Sequence, residues 1–75
     1  MKELAEFVVR KLVDKPEAVF VEESQDGDVT VLSLVVDEGD KGKVIGKQGK
    51  VIKAIRDVVA VAAQKADRHV SVEID

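Results

Sequence analysis

The sequence predicts an α+β domain in which helices pack on one face of a three-stranded mixed sheet. Three observations lead there. Apolar spacing changes along the chain in the order helix, strand, strand, helix, helix, strand. An Asp26-Gly27 pair between the first two strands marks a hairpin, so those strands run antiparallel. About thirty residues carrying two helices precede the last strand, ample for a right-handed crossover to a parallel partner. With 75 residues the chain is read as one domain, residues 1–75, around one thin core.

The elements follow in order. Lys2–Val13 reads as an amphipathic helix with Leu4, Phe7, Val8 and Leu12 on one face. Asp14-Lys15-Pro16 ends it, because proline disfavours helical geometry in the residue before it. Ala18–Ser24 reads as the first strand and Gln25–Asp28 as the turn. Val29–Val36 is almost continuously apolar, as a central strand should be. Phe7 and Phe20 are both expected in the core. Asp37–Asp40 is a loop, with Asp40 placed to cap the next helix. Lys41–Ile45 makes a short helix, Gly46–Gly49 interrupts it, and Lys50–Ala66 is a long helix. Asp67–His69 is a tight connection. Val70, Val72 and Ile74 alternate with Ser71 and Glu73 in a closing, half-exposed strand.

Composition excludes several functions. There is no cysteine, hence no disulfide framework and no thiolate metal site, and the single His69 cannot hold zinc alone. The apolar residues near Met1 are broken by Glu6, Arg10 and Lys11, unlike a secretory segment. No run approaches a membrane span. A cytoplasmic location and no membrane contact are the expectation. Ser24 and Ser33 have no histidine near them in sequence. The glycine spacing fits neither a Walker A loop nor a dinucleotide fingerprint. The chain reads as a non-enzyme that needs no cofactor.

The net charge of −3 speaks against nucleic acid, but its distribution does not. Lys41, Lys43, Lys47, Lys50, Lys53 and Arg56 fall in one window that holds no acidic residue. The other 59 residues hold six basic and fifteen acidic residues, a balance of −9. Such a stripe on an acidic body is a focused electrostatic site. Within it lie Gly46 and Gly49, three apart, between the short helix and the long one. Glycine lets a ligand's backbone come close. The long helix starts at Gly49 or Lys50, so its unpaired N–H groups and positive dipole end face the loop. Lys47 and Lys50 add mobile charge. Together these residues suit phosphate.

Val44-Ile45-Gly46-Lys47-Gln48-Gly49-Lys50, with Ile52 following, resembles the signature of KH domains. The element order resembles their type II, prokaryotic topology. The opening Met1-Lys-Glu-Leu, the Asp14-Lys-Pro-Glu17 stop and the closing Val70-Ser-Val-Glu-Ile74 strand resemble the small stand-alone KH proteins of bacteria. The resemblance spans essentially the whole chain. It implies that Gly46, Lys47, Gln48 and Gly49 clamp the backbone of about four nucleotides of single-stranded RNA. Val44 and Ile45 would supply apolar contact, and Lys43, Lys50 and Lys53 would help neutralise phosphates. The groove would close at Asp67-Arg68-His69, a short loop. Readers that stack bases on exposed aromatics fit less well, since the chain has no Trp or Tyr.

Some residues keep a plainer reading beside this one. Ile52 is expected in the core, Ile45 either in the core or at the groove, and Arg56 and His69 on the surface. The apolar arc of the long helix is wider than one small core requires. Ala54, Val58 and Val61 at its edge are candidates for a partner interface. The resemblance implies self-association, or pairing with a larger KH-containing RNA-binding protein, and a role as an RNA chaperone or post-transcriptional regulator linked to growth and cell shape. The alternative is a protein-interaction module whose basic loop is incidental.

Overall fold

A computed structural model describes residues 1–74. Helix α1 spans Lys2–Arg10, strand β1 Phe20–Asp26 and strand β2 Val29–Val35. The short helix α2 covers Lys41–Ile45, α3 Lys50–Lys65, and strand β3 His69–Ile74. Single 3-10 turns stand at Pro16–Ala18, Glu38–Asp40 and Lys47–Gly49. The sheet order is β1-β2-β3, with β1 antiparallel and β3 parallel to the central β2. This is the predicted mixed sheet, with the helices on one face.

Alternation decides what each strand buries. Thr30, Leu32, Leu34 and Val36 point from the central segment into the core. Val19 and Val21 join them from beside and within β1, and Val72 from β3. Ile52, Ile55, Val59 and Ala63 close the core from α3, Ala5 and Val9 from α1. The β1–β2 hairpin pairs Asp26 with Val29 across a two-residue turn. Gly27 there has φ 62°, the positive value such a turn takes at its first central position.

Both phenylalanines depart from expectation. Phe7 is 60% exposed and Phe20 61%. Phe20 follows buried Val19 and precedes buried Val21, so the two-residue strand period turns it to the open face, opposite Val35. In α1 the buried stripe runs through Ala5 and Val9, with Met1 and Val8 packed alongside. Ala5 and Val9 are both fully buried, so this side of the helix faces the core. The large residues Phe7 and Leu12 are left on the outer side. The Phe7 ring instead lies 5.1 Å from Lys11 Nζ, a cation–π distance. The helix also stops earlier than Val13, in a tightened turn where Lys11 and Leu12 donate to Val8 and Val9 carbonyls.

Asp40 is a second correction. It precedes α2 but its side chain makes no capping bond. It is 3% exposed, and its carboxylate accepts the backbone N–H groups of Asp14 (3.2 Å) and Lys15 (3.1 Å). The α1–β1 connection is thereby tied to the entrance of α2. Asp37 does the local capping instead, accepting the N–H of Gly39 at 3.0 Å.

At its far end α3 closes with Arg68 N–H on Ala63 O (2.8 Å) and Asp67 N–H on Gln64 O (3.1 Å). Asp67 is left-handed, with φ 57°. These are the bonds of a Schellman cap, here with aspartate where glycine is usual.

Candidate nucleic-acid interface

The loop between α2 and α3 is built by three left-handed residues. Gly46 has φ 78° and ψ 172°, a region essentially reserved for glycine. Gln48 follows at φ 58°, ψ 26°, and Gly49 at φ 75°, ψ 15°. Left-handed backbone costs a non-glycine residue about 1 kcal/mol, so Gln48 holds local strain. Lys47 and Gln48 are exposed at the tip. Gly46 is also required by space. A Cβ there would lie 2.8 Å from the backbone N of Val51 in the first turn of α3. A Cβ on Gly49 would meet nothing within 4 Å. The two glycines of one motif therefore answer to different constraints.

The six cations of the basic window are not equivalent. Lys41 Nζ lies 3.3 Å from Glu38, and Lys53 Nζ 3.3 Å from Asp57. Lys43 is hydrogen-bonded to Asp14, 29 residues away in sequence. That bond, acting against partial desolvation, holds the Lys43 ammonium above its ordinary pKa. Arg56 Nε donates to the Val72 carbonyl of β3 at 3.0 Å. Among the described residues, only Lys47 and Lys50 of the six have no ion pair or side-chain hydrogen bond. The free charge is thus concentrated on the loop and the first residue of α3.

The apolar part of the expected site needs one correction. Val44 is fully buried in the core and offers no surface to a ligand. Adjacent residues on a helix face different ways, and in this short α2 it is Val44 that points inward. Ile45 remains partly exposed beside the loop. Ile52 is core, as expected. The outermost strand β3 borders a cleft of about 310 Å³, where Ala60 and Ala63 of α3 face Asp67, Arg68, His69 and Val70. Asp14 and Asp40 escape sequence reasoning. No short-range signal couples them to a segment more than twenty residues away.

Elsewhere on α3, Val58 is 48% and Val61 54% exposed, with Ala54 exposed beside them. Among the described residues no three His, Asp or Glu side chains could hold a metal ion. No described helix is long and apolar enough to cross a membrane.

A Gly-x-x-Gly loop joining two helices, on the order α-β-β-α-α-β, defines a type II KH domain. The match to known proteins is more specific. Residues 2–74 match the family model described as the KH domain of KhpA and KhpB, and the chain belongs to that family. It is a non-enzymatic family. A relative from Clostridium perfringens, named RNA-binding protein KhpA, is 53% identical over 74 residues, covering 99% of each chain. One of the same name from Chlamydia trachomatis is 45% identical, covering 99% of this chain and 95% of the relative. Among solved structures, Era of Aquifex aeolicus bound to GDP and AlF4− superposes with a TM-score of 0.59. Era in complex with MgGDPNP and nucleotides 1506–1542 of 16S ribosomal RNA gives the same score. Each is 20% identical and matches 97% of this chain but 28% of its own, a likeness of fold.

Proposed function

We propose that this chain binds RNA without catalysis, gripping the backbone of about four nucleotides of a single strand in Gly46–Gly49. One observation carries the reading. The two unpaired cations of the basic window are Lys47, on the left-handed loop, and Lys50, the first residue of α3. Phosphate there meets mobile charge and the positive end of a 16-residue helix together. The relatives named as RNA-binding proteins support the same reading. Ile45 supplies apolar contact, and Lys43 and Lys53 contribute only by leaving their carboxylate partners. The setting is cytoplasmic, and the role is that of an RNA chaperone or post-transcriptional regulator.

The decisive experiment replaces Lys47 and Gln48 by Asp and measures binding to labelled single-stranded RNA. Both side chains are exposed, so folding should persist while affinity falls at least tenfold. Unaltered binding would falsify the grip. For the unmodified chain, three phosphate contacts correspond to a log affinity versus log salt slope of about −2.

A second reading concerns assembly and is favoured by the exposed apolar edge of α3. Ala54, Val58 and Val61 pair this domain with a second copy or with a larger KH-containing RNA-binding protein, raising avidity for RNA. Val61→Asp should then lower the mass measured in solution. An unchanged mass removes Val61 from the interface between copies.

A further inference from the structure

Three lysines of the basic window are ion-paired, and one pairing differs from the rest. Lys41 and Lys53 bond to neighbours on their own turns. Lys43 reaches Asp14, on the connection between α1 and β1. That connection is held in place. The N–H groups of Asp14 and Lys15 donate to the two oxygens of buried Asp40, immediately before α2. Lys15 Nζ also lies 3.7 Å from Asp37. Anchored at these points, the connection delivers one carboxylate to the lysine one helical turn ahead of Gly46.

We propose that Asp14 is a gating counter-ion: it occupies Lys43 in the free protein and competes with RNA phosphate for it. This rests on the reading of Gly46–Gly49 as the RNA grip. A phosphate that approaches Lys43 Nζ also approaches the Asp14 carboxylate and is repelled by it. Lys43 can serve RNA only by swinging away, exchanging one anionic partner for another. The exchange gains little, so the gate keeps one cation out of the phosphate count and holds the grip of a single domain weak. Asp14 is a positioning residue that touches no RNA.

The test is a double-variant cycle with a fluorescein-labelled single-stranded RNA pool, read by anisotropy across a salt series. Asp14→Asn keeps the backbone N–H that Asp40 accepts, so the fold should stand. Asp14→Ala is the second variant if asparagine disturbs the connection. Either should tighten binding about threefold at low salt, the scale of an exposed ion pair. The slope should steepen by about 0.7, one further phosphate on a single strand. In a Lys43→Gln background the same change should do neither. Unchanged affinity and slope, or equal tightening with and without Lys43, would overturn the gate. The underlying reading fails separately: it falls if the Lys47→Asp, Gln48→Asp chain binds the pool as well as the unmodified chain.

Discussion

Gly27 and Gly46 both take positive φ, 62° and 78°, where the chain changes direction. Around Gly27 there is open space; around Gly46 there is Val51. The hairpin turn asks only that one residue tolerate left-handed backbone. The loop between α2 and α3 asks that its first residue also have no side chain, because the start of α3 is packed against it. The second glycine of that loop, Gly49, resembles Gly27 more than it resembles Gly46. A glycine in a binding motif is thus no proof that a ligand needs it. At Gly46 the helix junction itself does.

Substitutions can break this comparison. Gly46→Ala should have the largest effect, about 3 kcal/mol or more, from forbidden backbone plus overpacking against Val51. Its urea midpoint should collapse; a midpoint near that of the unmodified chain would show that α3 can retreat at little cost. Gly27→Ala and Gly49→Ala should each cost less, about 1–2 kcal/mol, the penalty for positive-φ backbone without a steric clash. A Gly49 variant as damaged as the Gly46 one would erase the distinction. The smallest effect runs the other way. Asp67 is left-handed at the end of α3, so Asp67→Gly should raise stability by up to about 0.5 kcal/mol in the same titration. A loss there would mean that the aspartate side chain supports the cap.

Much of the fold was legible in the sequence because its signals are local. The hairpin needed only Asp26-Gly27. Helix α2 needed only the segment Lys41–Ile45 ahead of a glycine, and the mixed sheet needed the length of the crossover. Long-range choices were not legible. Whether Phe20 faces in or out depends on the phase of β1, which is settled when Val19 and Val21 on either side of it enter the core. In α1, side-chain size points to Phe7 and Leu12 as the buried stripe, whereas the core takes Ala5 and Val9. At the site, the loop residues and Lys50 could be read from spacing alone. The loss of Val44 to the core, and of Lys43 to Asp14, could not, since both follow from contacts made by distant segments.

The bond from Arg56 to the Val72 carbonyl bears on solubility. Strand β3 forms one margin of the sheet and carries no lysine, arginine or proline, only the carboxylate of Glu73. Its unpaired backbone is a template on which a foreign strand could add and begin aggregation. Arg56 binds the Val72 carbonyl and sets a charge midway along the strand. The strand at the other margin, β1, is guarded by its own Glu22, Glu23 and Asp26. The two margins are therefore charged differently, β1 by three carboxylates of its own and β3 by Glu73 together with an arginine supplied by α3.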